Sequence, residues 1–306
     1  YRDLIARKLA VTAPTGLAAL PALPDGLFPH QRALTQWALR RGRAAIFADT
    51  GLGKTRMQLA WANAVNEVEH HDILILAPLA VAAQTVEEGR ALGVNVTHCR
   101  DDADVRPGIN ITNYERLHRF DSERFGAVVL DESSCIKHHD SKTLRRLMDA
   151  FCHASFKLCA TATPAPNDWT ELGTHAEFLG VCTRTEMLSE FFVHDGGETQ
   201  VWRLKGHARN QFWRWVASWG AMVRSPADLG YDASGYQLPP LHVHEHIVES
   251  TQNAIGMLFP LEAQTLSERR EARRSSMDAR VAACAATVAK NPNESWVVWC
   301  DLNAEG

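Results

Sequence analysis

The chain has 306 residues, 45% hydrophobic and 22% charged, with a net charge of −4 at neutral pH. That length allows two domains, or one with a large appendage, and the composition is ordinary for a globular protein. It excludes a polycation, so any nucleic-acid contact must come from a local basic surface. No run is long and apolar enough to span a bilayer, so no membrane association is expected. The segment 17–27 is apolar, but Pro21 and Pro24 interrupt it and it makes a poor signal peptide. The seven cysteines are scattered and contain no C-x-x-C pair. They read as reduced thiols in a cytoplasmic protein rather than as disulfides or a zinc site.

Residues 1–25 read as an N-terminal extension. From Phe28 to about Gly180, short apolar runs alternate with helix-like stretches. The runs 45–48, 73–77, 94–97, 109–112, 127–130 and 157–161 are predicted strands, and 54–65, 82–91, 114–119 and 142–150 lie between them as helical segments. This alternation predicts an α/β fold with a mainly parallel sheet covered by helices on both faces. The strand runs lack polar alternation, as expected when both faces are buried.

The first motif is Asp49-Thr50-Gly51-Leu52-Gly53-Lys54-Thr55. It follows a predicted strand and opens a predicted helix, the context of a phosphate-binding P-loop. The glycines let backbone N–H groups close around phosphate oxygens. Lys54 adds a point charge for the β and γ phosphates of ATP, and the Thr55 hydroxyl is a Mg²⁺ ligand. The full pattern has Gly where Ala48 stands. The second motif is the strand 128–130 running into Asp131-Glu132. Asp131 is positioned to hold Mg²⁺, mostly through water, and Glu132 to polarise the water that attacks the γ-phosphate. The third is the strand running into Thr161-Ala162-Thr163-Pro164, which brings small hydroxyl residues to the edge where open α/β sheets bind ligands. A P-loop kinase or small GTPase is disfavoured by Asp131-Glu132 and by Thr161-Ala162-Thr163.

After about Leu179 the pattern changes. Residues 191–194 and 200–204, joined by Asp195-Gly196-Gly197, predict a β-hairpin. A helix follows, with Phe212, Trp215, Val216, Trp219 and Val223 as its apolar stripe. Trp213 and Arg214 fall off that stripe and are candidates for stacking on a base and holding a phosphate. A loop rich in Gly, Ser and Pro covers 225–240, and 241–248 reads as strand-like. His242, His244 and His246 alternate there and read as an exposed or interfacial face rather than a zinc site. Helical segments lead to Glu294, with the run Arg269-Arg270-Glu271-Ala272-Arg273-Arg274 as a solvated helix face. Residues 295–300 look like the first strand of another α/β unit.

These motifs, taken in order, resemble the superfamily 2 helicases and translocases, most closely the Swi/Snf-type ATPases with their phage and bacterial DEAD/DEAH-box-like relatives. Pro29-His30-Gln31-Arg32 resembles the upstream Q-type motif, which implies Gln31 at the adenine. Ala77-Pro78-Leu79 and Ile111-Thr112-Asn113-Tyr114-Glu115 are similar to motifs Ia and Ib, which implies nucleic-acid backbone contacts near Pro78, Asn113 and Tyr114. Asp131-Glu132-Ser133-Ser134-Cys135-Ile136-Lys137 is similar to the pattern D-E-A-H-x-I-K. Thr161-Ala162-Thr163-Pro164-Ala165-Pro166-Asn167 is similar to T-G-T-P-x-Q-N. The resemblance implies that Ser134, Thr161, Ala162 and Thr163 couple the hydrolysis site to the rest of the motor, but Ser134 stands where the family often has His, which puts the usual link in question.

The resemblance implies a RecA-like P-loop NTPase lobe over 26–182 and an accessory insertion over 183–248, mostly helical with a hairpin. A helical linker over 249–294 and the start of a truncated second lobe over 295–306 would follow. It implies a DNA-dependent ATPase motor using ATP and Mg²⁺ on DNA, duplex in form, with other proteins as possible partners of the accessory region. The family draws arginine fingers from its second lobe. Two alternatives stay open: a nucleotide-binding adaptor module without its own turnover, and an RNA helicase.

Overall fold

The computed structural model describes residues 12–195, 198–248 and 265–305. The chain forms two compact units, divided between Gln237 and Leu238. In the first, helix α1 (Pro29–Arg41) leads to strand β1 (Arg43–Ala48), helix α2 (Lys54–Glu69) and strand β2 (Asp72–Ala77). Helix α3 (Ala82–Ala91), strands β3 (Val96–His98) and β4 (Ile109–Asn113), and a 3-10 turn over Tyr114–Arg119 come next. Strand β5 (Phe125–Asp131), helix α4 (Lys142–Ala150), strand β6 (Phe156–Ala160) and helices α5 (Leu172–Phe178) and α6 (Arg184–Phe191) complete the alternating part.

The sheet has seven strands in the order β3-β4-β2-β5-β6-β1 and then β9 (Gly220–Val223), all paired in parallel. Its central strands are buried on both faces, which explains their unbroken apolar runs. One face packs on a cluster that includes Leu39, Met57, Trp61 and Ile75, and the other on Leu76, Phe125, Phe151, Phe178 and Phe212. The N-terminal stretch joins the first cluster through Leu17, Leu23 and Leu27. Gly16 there runs so close to α1 that a Cβ would meet the Leu39 carbonyl.

The predicted hairpin is present as antiparallel β7 (Phe192–Asp195) and β8 (Glu198–Leu204). Its Gly196-Gly197 turn lies outside the described residues. Helix α7 (Arg209–Ala217) buries Phe212 and Val216, as the stripe predicts. The stripe does not continue as helix. Trp219 is buried just beyond α7, and Val223 is buried in β9, which pairs with β1 in the register Ala45↔Gly220 to Ala48↔Val223. The open edge of β1 supplies the ladder that turns this short segment into a strand. A stretch read as appendage therefore contributes an edge strand to the main sheet, beside the strand that leads into the Gly-rich loop.

Two expected strands are absent from the second unit. Residues 241–248 and 295–300 carry no regular structure and pair with no strand among the described residues. An extended segment becomes a strand only when a neighbour takes up its backbone groups, and neither finds one. That unit contains helices α8 (Leu266–Ser275) and α9 (Met277–Lys290). Residues 249–264 of the expected helical linker lie outside the described residues. The arginines at 269, 270, 273 and 274 are solvent-exposed on α8, and Arg273 pairs with Asp301.

Lys157 brings an ionisable amine into the core. Lys157 of β6 is 4% exposed, donates from Nζ to the Phe178 carbonyl at 3.1 Å and sits over the Phe178 ring. Burial, helped by the nearby Arg43 charge, lowers its pKa from 10.5 to about 8. Between those values the unfolded chain holds the extra proton, so stability rises with pH across that window. Lys157→Met is therefore expected to be more stable than the wild type at pH 7. The gap should narrow by on the order of 2–3 kcal/mol by pH 10.5, as read from urea melts of both proteins. A pH-independent gap would refute this.

Candidate active site

The Gly-rich loop leaves the end of β1 and enters α2. Gly51 and Gly53 adopt φ of 81° and 78°, a left-handed region that suits glycine. Ala48, where the full motif has a third glycine, is the last residue of β1 and is absent from the positive-φ residues, so alanine fits there. Its carbonyl and that of Asp49 accept hydrogen bonds from Lys54 Nζ at 3.0 and 3.3 Å. Leu52 is buried beneath the loop.

Gln31, expected at the adenine, has its amide committed to the loop. Its Oε1 accepts from the Phe28 N–H at 3.0 Å, and its Nε2 donates to the Leu52 carbonyl at 3.1 Å. It still borders the cleft, which has a volume of about 490 Å³ and is also lined by Thr50, Gly51, Gly53, Lys54, Thr55, Asp131 and Glu132. Phe28 and Tyr236 line the same cleft, with ring centroids 6.4 Å apart and edge to face. The fold thus brings the P-loop and the Asp-Glu pair to one place, because β1 and β5 flank β6 and end at the same edge of the sheet.

Asp131 is 6% exposed, and burial raises its pKa. Gln58 Nε2 donates to its Oδ1 at 2.6 Å and opposes that shift. A carboxylate desolvated in this way is stabilised by a nearby cation, so Asp131 and Thr55 fit a Mg²⁺ ion held beside bound phosphates. The spacing from Lys54 to Gln58 is one helical turn of α2, and that periodicity is the signal that could have identified Gln58.

Glu132 adopts φ 50° and ψ 52°, left-handed for a residue that is not glycine. Such a conformation costs on the order of 1–3 kcal/mol and persists only where neighbours enforce it. Thr161 Oγ1 donates to Glu132 Oε2 at 3.3 Å, and the Thr163 N–H donates to Thr161 Oγ1 at 3.2 Å. The link that the missing His had put in question is thus made by Glu132 itself. Ser134 does not line the cleft, and Ala162 is half-buried. The buried neighbour Ser133 is anchored instead, its Oγ lying 3.2 Å from His175 Nε2.

The other expected nucleic-acid residues stand outside this cleft. Pro78 and Tyr114 leave the sheet side by side, because Ala77 pairs with Asn113. Asn113 is buried, and its Oδ1 caps the 3-10 turn by accepting from the Arg116 N–H at 3.1 Å. The Tyr114 hydroxyl donates to the Asp131 carbonyl at 2.7 Å and so braces the Asp-Glu strand end. Trp213 is half-buried, edge to face with the exposed Trp169 at 5.0 Å, and Arg214 is exposed. Among the described residues no helix is long and apolar enough to cross a membrane, and no cluster of three or more His, Cys, Asp or Glu could hold a metal.

Comparison with known proteins agrees with this architecture. The SWI2/SNF2 ATPase core domain of Sulfolobus solfataricus superposes with a TM-score of 0.54 at 19% identity, over 75% of this chain and 50% of that one. The same organism's SWI2/SNF2 ATPase core in complex with dsDNA gives 0.48 at 22% identity, over 55% of this chain and 39% of that one. The UvsW helicase of bacteriophage T4 gives 0.44 at 13% identity, over 60% of this chain and 65% of that one. The chain therefore spans half or less of the Sulfolobus proteins. No curated protein matches it in sequence. The model of the SNF2-related domain matches residues 30–214, more than half of the 306 residues. That match settles the family: the chain belongs to the SNF2-related domain family.

Proposed function

We propose that this chain carries the ATP-binding lobe of a DNA-dependent ATPase motor. The observation that supports it best is the shared cleft, in which Lys54, Thr55, Asp131 and Glu132 meet and Glu132 is bonded onward to Thr161. ATP would lie with its phosphates on the loop over 50–55, where Lys54 exchanges the Ala48 and Asp49 carbonyls for phosphate oxygens. Thr55 and Asp131 are the residues that would hold Mg²⁺, which neutralises phosphate charge when bound. Glu132 orients and polarises the attacking water. Loss of the γ-phosphate changes what Glu132 faces, and the bond to Thr161 carries that change to the 161–163 loop.

Residues 26–182 serve as the first lobe in this reading, and the site is completed by arginines from a second lobe. Duplex DNA would run along Pro78 and the Tyr114–Arg119 turn. Asn113 and Tyr114 shape that turn from within, and the exposed Arg119 is a free cation there among the described residues. Trp213 and Arg214 offer a second contact, beside Trp169. A motor of this kind works where ATP and DNA are found, inside a cell. The region over 183–237 is available to protein partners.

The test is ATP turnover by the full-length protein with duplex DNA, single-stranded DNA, RNA or no nucleic acid. Duplex DNA is expected to raise the rate at least several-fold above the others. Equal rates would reject the DNA-dependent motor, and nucleotide binding without any turnover would favour the adaptor reading.

A further inference from the structure

His175 is a fully buried titratable group beside the site. It lies in α5, just after the Thr-Ala-Thr-Pro loop, with no exposed surface. Three elements of the site converge on its ring. Nε2 is 3.2 Å from Ser133 Oγ, the residue after Glu132. The ring meets Phe47 edge to face at 5.3 Å, and Phe47 is one residue short of the end of β1, where the Gly-rich loop begins. Helix α5 itself follows the segment that carries Thr161 and Thr163.

The imidazole has an apolar setting and an incomplete set of partners. Its Nδ1 makes no close hydrogen bond among the described residues, although the backbone of Glu171 lies near enough to oppose the fall in its pKa. Burial holds its pKa down to about 4, so the ring is neutral over the ordinary working range of pH. A weakly paired buried nitrogen is a cost to folding. Its polar contribution is the Nε2 contact, and that contact falls on the turn that keeps Glu132 left-handed. The hydroxyl of Ser133 is fully buried, and its described partner is His175.

We propose that His175 is a positioning residue that fixes the Asp131-Glu132-Ser133 turn through Ser133. The inference rests on the ATPase reading for its consequence and on geometry alone for its contact. It identifies the neutral imidazole as a rigid brace between the strand before the Gly-rich loop, the Asp-Glu turn and the helix after the Thr-Ala-Thr-Pro loop.

The experiment uses the full-length protein and the variants Ser133→Ala, His175→Leu, their combination, and His175→Gln, whose amide nitrogen can take the place of Nε2. Removing an outer partner of this kind is expected to lower kcat on the order of 10-fold, with KM for ATP unchanged. The double variant should be no worse than either single one. His175→Gln should recover most of the loss, and the double variant, which leaves no buried hydroxyl without its partner, should keep Tm close to that of the wild type. Amide exchange over 132–136 should quicken in Ser133→Ala and in His175→Leu. Unchanged exchange, or an unchanged kcat in a wild type that does turn over, overturns the inference. A fall in Tm of the double variant that tracks its fall in kcat also overturns it, in favour of a packing role. Quickened exchange in a protein that hydrolyses no ATP upholds the brace and rejects the ATPase reading instead.

Discussion

Glu132→Gln is expected to abolish most ATP turnover while leaving nucleotide binding intact. Loss of a positioned general base lowers a rate by about 10²–10⁴-fold. The substitution keeps the size of the side chain, and its carbonyl oxygen can still accept from Thr161 Oγ1, now 3.3 Å from Glu132 Oε2. The left-handed backbone at this position is set by its surroundings and not by the carboxylate, so the turn should survive. Lys54, Thr55 and Asp131, the groups proposed to hold phosphate and Mg²⁺, are untouched. The measurement is steady-state hydrolysis by the full-length protein beside the Kd of a fluorescent ATP analogue. A variant that retains a third of the wild-type rate would remove Glu132 from the role of base. One that loses affinity as severely as rate would make it a binding residue.

Gly53→Ala is expected to destroy the nucleotide site by a different route. Gly53 has φ of 78°, where a side chain costs about 1–2 kcal/mol. A Cβ there would also stand 2.2 Å from Gln31 Nε2. That amide cannot yield cheaply, because its two ends hold the Phe28 N–H and the Leu52 carbonyl. Giving up both bonds costs about 1 kcal/mol each. The strain and the lost bonds together reach about 3–4 kcal/mol, or a loss of roughly 100-fold or more in nucleotide affinity. Gly51→Ala is the control. It has the same sign of φ but no atom within 4 Å of its Cβ position, so it should lose only the backbone part. Equal losses in the two variants would show that the Gln31 contact has no energetic role.

The parts of this protein that could be read from sequence are those encoded in adjacent residues. Strand, Gly-rich loop, Lys54 and helix occupy one continuous stretch, and so do the strand and carboxylates at Asp131-Glu132. Hydrophobic runs marked most of the sheet because its central strands are buried on both faces. What escaped depended on partners distant in the chain. The segment at Gly220–Val223 has helical spacing with Phe212 and Val216, and only the open edge of β1 makes it a strand. Residues 241–248 alternate as a strand would, yet meet no ladder. His175 gave no local signal at all, since its partner is 42 positions away. Gln31 was found by its motif, and its bonds to the Phe28 N–H and the Leu52 carbonyl could not be read there, because which atoms its amide meets depends on where the loop folds.

The pairing of β1 has a consequence for the order in which the protein comes into being. The strand that presents the Gly-rich loop leaves the ribosome before both of its sheet neighbours, β6, paired through Arg43↔Lys157, and β9, paired through Ala45↔Gly220. During synthesis it therefore waits, flanked by nothing, while its immediate successors can already assemble around β2. Closing such long loops is entropically slow. The edge of the sheet that carries the Gly-rich loop is accordingly a late product of folding. A nascent chain that stops short of Val223 exposes the flank of the strand that feeds the phosphate loop.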